Sequence, residues 1–244
     1  MTIEKAILNG SQIQIEALAT GPSANAEHDH NKVILFVHGM GRSPLSAWPV
    51  LRRLRQAQLT TTTFAYVTAF ENFAAIKARL VARIVSLAAS GSYVVVGHSL
   101  GGVLLRAALN ALPAETTRPK HVFLLGSPIQ ASRLAKRLKE NLLYRVLTGD
   151  CGQLLSSPQR MAEVGALNDA TTSIVGVRGI AATRHFFGAE ANDGVVSASE
   201  TDAPWIAQKR PVAILHSLLP SSTRVANIII DELGKTAGKP SGVA

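Results

Sequence analysis

Cysteine is almost absent: the chain has one, Cys151, in 244 residues. A single thiol excludes an intrachain disulfide framework and a multi-cysteine metal site. Long apolar runs are missing too. Stretches such as Val33 to Val37 and Val94 to Val96 fall far short of the ~18 residues that a membrane-spanning helix needs. Aromatics make up 5% and form no cluster, so the stacking platforms that hold single-stranded nucleic acid are not visible. Acids are scarce, 16 against 25 Lys and Arg, for a formal charge of +9. That excess leaves anionic partners open, a lipid surface above all. The opening MTIEKAILNG lacks a basic segment followed by an apolar one, so no secretory signal is read and a cytoplasmic location is expected. What is plentiful is core material: 47% hydrophobic against 17% charged residues excludes a disordered chain. The length suits one large domain at ~150 residues per domain as a loose prior.

Residues 20–31 (TGPSANAEHDHN) read as a polar loop, and residues 235–244 as a flexible tail. His28-Asp29-His30 reads as part of that loop, and no metal or organic cofactor is expected. Strands are expected at Lys32–Val37, Thr61–Val67, Tyr93–Gly97, His121–Leu125, Thr172–Val177 and Val212–Leu215. Most are nearly continuous Val/Ile/Leu/Phe runs, which suit a parallel sheet covered on both faces. Ser11–Leu18 alternates and reads as an edge strand. Between them, Phe73, Ile76, Leu80, Ile84 and Leu87 recur at three- and four-residue steps and predict a helix over Glu71–Ala89. Leu100–Leu112, stopped by Pro113, and Ser222–Leu233, ended by Gly234, are the other clear helices. Strand–helix alternation at this spacing predicts an α/β fold with right-handed crossovers.

One stretch carries chemistry. In YVVVGHSLGG an apolar strand runs into Gly97-His98-Ser99-Leu100-Gly101 and then into a helix. This is G-x-S-x-G in the strand–turn–helix context it requires. The turn strains the serine backbone, and side chains two residues before and after it would collide with neighbouring elements. Gly97 and Gly101 relieve that crowding. The Leu100 N–H then opens a helix, aimed at a developing negative charge.

With this motif the chain resembles the α/β-hydrolase superfamily, and within it small bacterial lipases and esterases. Three more motifs carry the resemblance: Phe36-Val37-His38-Gly39-Met40-Gly41, Leu125-Gly126-Ser127-Pro128 and Asn192-Asp193-Gly194-Val195-Val196. The resemblance spans residues 32–233. It implies a mostly parallel sheet flanked by helices, in a single domain with a small helical cap over 129–167. It also implies a Ser-His-Asp triad working through an acyl-enzyme. The Met40 N–H would join Leu100 in the oxyanion hole, with Ser99 as nucleophile. The superfamily order of serine, acid, histidine leaves His121, His185 and His216 of the 7 histidines. His121 opens a strand and His185 precedes the acid motif, so His216 is the expected base. Asp150, Asp169, Asp193 and Asp202 lie between Ser99 and His216. The resembling enzymes carry their acid in a motif like Asn-Asp-Gly-Val-Val, which points to Asp193. Asp169 is the fallback, although it precedes a strand and so lies at the wrong sheet edge. His38 and His98 read as structural.

The expected function is cleavage of small-molecule carboxylic esters, lipids included. A thioesterase or acyltransferase on the same triad is the alternative, because only leaving group and acceptor differ. A non-catalytic basic module that binds membrane surfaces is the alternative of another class. Residues 133–145 carry Arg133, Lys136, Arg137, Lys139 and Arg145 against Glu140, with Leu134, Leu138, Leu142 and Val146 at four-residue steps. One basic amphipathic helix is expected there. The plain reading packs it on the sheet with the charges in water. The sharper reading is a weak contact with an anionic membrane surface. Nucleic acid is not expected as a partner. Cys151 reads as a small packing residue.

Overall fold

The computed structural model describes residues 32–237. The strands are β1 (Val33–Val37), β2 (Thr60–Phe64), β3 (Tyr93–His98), β4 (Val122–Leu125), β5 (Thr171–Gly176) and β6 (Gln208–Val212). They form one sheet in the order β2-β1-β3-β4-β5-β6, and every pairing is parallel. Eight helices connect and follow them: α1 (Trp48–Gln56), α2 (Phe73–Ser90), α3 (Leu100–Leu109), α4 (Arg133–Leu138), α5 (Leu142–Ser156), α6 (Pro158–Glu163), α7 (Arg184–Phe187) and α8 (Thr223–Ala237). The expected α/β-hydrolase architecture, a parallel sheet flanked by helices, is what the chain adopts. The expected edge strand Ser11–Leu18 and the His28-Asp29-His30 stretch lie outside the described residues.

Alternate residues of the central strands feed two cores. Leu35, Val37, Tyr93 and Val95 face one side with α2 and α3, while Ile34, Phe36, Val94 and Val96 face the other with α1 and α8. All five apolar residues of the α2 stripe are buried. At ~1.5–3 kcal/mol per buried large side chain, that stripe outweighs any local propensity in fixing the helix. Asn72 caps α2: its Oδ1 accepts from the Ala75 N–H at 2.8 Å.

Most boundaries fall within one or two residues of expectation, and four differences bear on the argument. The last strand is Gln208–Val212, not Val212–Leu215. It is the sheet edge, where one side stays wet, so Lys209 and Arg210 are tolerated and Pro211 costs no ladder bond. Strand β2 ends at Phe64 rather than Val67, and α3 ends at Leu109 rather than Leu112. Helix α8 runs through Gly234 to Ala237, so part of the expected tail is helical. The single amphipathic helix over 133–145 is two. Asn141 caps α5 by accepting from the Tyr144 N–H at 3.0 Å, which breaks the chain between Leu138 and Leu142. Helix α5 is itself kinked at Gly149, with φ 53° and ψ −144°.

The chain switches direction across the sheet between β1 and β3, since β2 lies on one side of β1 and β3 on the other. Loops leaving the carboxyl ends of β1 and β3 diverge there, the place where an open parallel sheet forms its ligand crevice.

Candidate active site

Ser99 sits at that switch point, between β3 and α3, at φ 53° and ψ −124°. Among the described residues only Gln58 shares a positive φ without being glycine. Such a conformation costs ~1–3 kcal/mol and survives only when its surroundings over-determine it. Here they do. The Ser99 N–H donates to the Leu125 carbonyl at 2.9 Å, and the Gly102 N–H donates to the Ser99 carbonyl at 3.0 Å. A Cβ on Gly97 would lie 2.5 Å from the Gly102 Cα, and one on Gly101 would lie 2.2 Å from the Val37 carbonyl oxygen. Both clashes are with backbone, which cannot swing aside. The strand and helix approach this closely only because both residues are glycine.

His216 opens a short 3-10 turn (His216–Ser221) after β6, and Asp193 lies in the long connection between β5 and β6. They meet in the interior. The His216 Nδ1–H donates to Asp193 Oδ2 at 2.7 Å, and the His216 backbone N–H donates to the Asp193 carbonyl at 2.9 Å. The other carboxylate oxygen, Oδ1, accepts from the Val195 and Val196 N–H groups at 3.0 and 2.8 Å. Asp193 is therefore a buried carboxylate held by two backbone donors and one ring. Those bonds fix the imidazole with Nδ1 protonated and Nε2 free to act as base. The pair lies against Gly126: a Cβ there would be 2.9 Å from Asp193 Oδ2 and 3.1 Å from His216 Nδ1. Gly126 follows Leu125, whose carbonyl holds the Ser99 N–H, so the pair and the serine stand on adjacent strand ends. No hydrogen bond joins Ser99 to His216.

The remaining histidines divide by environment. His38 is buried, its Nδ1–H donating to the Gly39 carbonyl at 2.8 Å and its ring stacked on Tyr66 at 4.2 Å. The Tyr66 hydroxyl donates back to the His38 carbonyl at 2.7 Å. Desolvation holds the His38 pKa below its ordinary value, so the ring is neutral scaffolding for the loop that carries Met40. His98 is buried against His216, with ring centroids 4.9 Å apart, and its Nε2–H donates to the His216 carbonyl at 3.0 Å. Burial drives its pKa well down, so it holds the His216 turn without adding a charge. His121 bonds Thr172 Oγ1 at 2.8 Å at the opposite sheet edge, and His185 is exposed on α7. Asp169 pairs with Arg118 far from the serine. Cys151 is buried in the core, where desolvation pushes its thiol up to about 12.

Leu100 is the first residue of α3, where no preceding turn supplies a carbonyl for its N–H. Met40 lies two residues beyond His38 in the loop after β1, at the same crevice. No group of three or more potential metal ligands exists among the described residues.

Two anchoring acids escaped the sequence. Glu200 is buried, its Oε1 accepting from the Arg133 N–H at 2.6 Å and its Oε2 from the Ser197 N–H at 2.7 Å. Glu190 accepts from the Ser199 N–H at 2.9 Å and pairs with the Arg133 guanidinium at 2.7 Å. Together they tie the Asp193 loop to the start of α4. The Ser197–Glu200 pair has the spacing of a capping box, a local signal the sequence does carry, whereas the bonds to Arg133 span more than fifty residues and have none.

No protein-family profile and no curated protein sequence matches the chain. Solved structures do. A metagenomic carboxyl esterase superposes with a TM-score of 0.68 at 17% identity, covering 88% of this chain and 80% of that one. The mature form of a Bacillus licheniformis lipase gives 0.59 at 17% identity, covering 82% and 90%. A thioesterase of the prodiginine biosynthetic pathway in Streptomyces coelicolor gives 0.56 at 15% identity, covering 86% and 91%. The fold is that of the α/β-hydrolases. At these identities the likeness speaks for the fold, and the chemistry must rest on this chain's own residues.

Proposed function

We propose that the protein is a serine hydrolase of carboxylic esters, with Ser99 as nucleophile, His216 as general base and Asp193 as the orienting acid. One observation carries the reading: a buried, hydrogen-bonded His–Asp pair stands beside a serine held at φ 53° on a strand-to-helix turn. A purely structural serine has no reason to hold that backbone strain. In the reaction, Ser99 Oγ attacks the acyl carbonyl as His216 Nε2 takes its proton. Serine and imidazole close to hydrogen-bond distance when substrate fills the crevice, as catalytic contacts do elsewhere. Asp193 keeps Nδ1 protonated and stabilises the imidazolium. The Leu100 and Met40 N–H groups receive the oxyanion. His216 then returns the proton to the departing alkoxide, and water, activated by the same ring, cleaves the acyl-enzyme.

A thioesterase or acyltransferase would use the same atoms, and a thioesterase stands among the structural neighbours. A p-nitrophenyl ester series of rising chain length, run beside acyl-coenzyme A hydrolysis, separates the readings. Ester turnover that exceeds thioester turnover, and that is lost in Ser99→Ala, supports the proposal. Preference for the thioester transfers the same triad to the alternative. Absence of both activities in folded protein contradicts the assignment.

A further inference from the structure

Six of the exposed large apolar side chains among the described residues lie in the loop after β2 and the first turns of α5. Phe70 is 89% exposed, Leu142 74% and Leu143 68%, with Val67, Val146 and Leu147 also more than half exposed. The other four, Leu45, Trp48, Ile180 and Leu218, lie in the connections after β1, β5 and β6. All ten belong to segments that leave carboxyl ends of strands, the edge that carries Ser99. The connections at the opposite edge expose none. A soluble surface scatters such residues singly, whereas clustering on one face marks a contact surface.

The group formed by Val67, Phe70 and the first turns of α5 adjoins the loop that carries Met40. Met40 and His38 share a loop, His38 stacks on Tyr66, and the Thr68 hydroxyl donates to the Leu147 carbonyl at 3.2 Å. The Cβ that Gly149 lacks would meet the Thr68 carbonyl at 2.4 Å, which seats the kink of α5 against the loop after β2. The first turns of α5 therefore project their leucines beside the crevice. Ala135 of α4 and Thr148 of α5 are buried and Tyr144 packs half-buried on the core, so both helices seat on the body of the molecule, but Leu142, Leu143, Val146 and Leu147 are left outside; beyond the kink Cys151, Leu154 and Leu155 are buried.

Charge decides what covers this face. Helix α4 packs beside α5 and exposes Lys136 and Arg137, and α5 exposes Arg145 between its leucines. None of the three forms an ion pair with a described residue. Arg133, Lys136, Arg137, His185 and Phe186 line an open groove of about 560 Å³ beside them. Apolar side chains projecting next to unpaired cations are what an anionic lipid surface takes up: acyl chains receive the leucines and headgroup phosphates receive the lysine and arginines. A second copy of the chain would bring the same cations against each other.

We infer that this edge docks on an anionic phospholipid bilayer, through Leu142, Leu143, Val146 and Phe70 with Lys136, Arg137 and Arg145. Docking would place the crevice against lipid esters and so deepens the proposed activity, but the contact itself needs no turnover.

The test is vesicle flotation of the full chain carrying Ser99→Ala, so that catalysis is irrelevant. Vesicles of phosphatidylcholine alone are compared with vesicles holding about 30% phosphatidylglycerol, an anionic lipid that attracts Lys and Arg. Binding to the anionic vesicles should be at least about tenfold stronger, and should fall when salt rises from ~0.1 to ~1 M and the screening length shrinks. Lys136→Glu/Arg137→Glu/Arg145→Glu should weaken binding on the order of a hundredfold, at about fivefold per charge. Phe70→Ser/Leu142→Ser/Leu143→Ser, all at exposed positions, should weaken it about tenfold or more with an unchanged melting temperature. Failure to bind either vesicle overturns the proposal, as does binding that neither variant weakens. So does a dimer in sedimentation equilibrium that the Ser variant dissociates, since a second copy would then cover the face.

Discussion

Replacing Glu200 with alanine removes a carboxylate that accepts from two backbone donors, Arg133 N–H at 2.6 Å and Ser197 N–H at 2.7 Å. Hydrogen bonds to a charged group contribute ~1.5–3 kcal/mol each, so the two together hold ~3–6 kcal/mol. Part of that is offset. Glu200 is 3% exposed and forms no ion pair with a described residue, so the variant also escapes the cost of a buried charge. The net loss is about 2–4 kcal/mol. In a chain of this size a loss of 1 kcal/mol lowers Tm by ~2–4 °C, which predicts a drop of about 5–15 °C. Circular-dichroism melts of wild type, Glu200→Ala and Glu200→Gln at neutral pH measure it. The glutamine keeps one acceptor and should fall between the other two. Activity should also fall, by about tenfold where the variant is still folded, because the loop that aims Asp193 loses its side-chain bonds to the Arg133 and Ser197 N–H groups, while the backbone bonds from Ile129 and Gln130 to the residue-200 carbonyl remain, and small misplacements cost rate. A Glu200→Ala melt within about 1 °C of wild type would refute the reasoning.

Asp193→Asn should leave the fold intact and lower kcat by roughly 10³–10⁴-fold, the scale on which a wrong imidazole tautomer costs a serine hydrolase. Near-normal turnover would remove Asp193 from the mechanism. Gly101→Ala puts a methyl 2.2 Å from the Val37 carbonyl oxygen and 2.4 Å from that of His38. It should destabilise by at least ~3 kcal/mol or abolish soluble expression, read by urea denaturation. Glu190 is held down to about 2 by its hydrogen bonds to Ser199 and by Arg133, against an ordinary value near 4.5. A depressed carboxylate stabilises the fold above its unfolded pKa and loses that effect as pH falls through the folded one. The Tm gap between wild type and Glu190→Gln should thus be full at pH 6, shrink from about pH 4.5 downward and vanish near pH 2. A gap independent of pH contradicts it.

Much of this molecule was legible because strain and burial leave marks in residue type. Gly97 and Gly101 are required by backbone contacts, and the α2 stripe is required by a core that admits only its apolar face. Strand β6 was misread because an edge strand keeps Lys209 and Arg210 while the apolar run after it turns away to deliver His216. The break between α4 and α5 did have a signal, the N-cap Asn141, but a four-residue apolar repeat running through it argued for one helix. The ties of Glu200 and Glu190 to Arg133 had none. A carboxylate whose partner is the remote Arg133 looks like any surface acid until the fold brings the two together. The exposure of Leu142 and Leu143 was likewise invisible, since periodicity assigns a face without saying what covers it.

The central claim is that Ser99 is an activated nucleophile. Incubation with a fluorophosphonate probe, followed by intact-mass analysis, tests it most directly. Wild-type protein should take up a single phosphonyl group, absent from Ser99→Ala and strongly slowed in His216→Ala. Folded wild-type protein that stays unlabelled, or label that persists in Ser99→Ala, would contradict it.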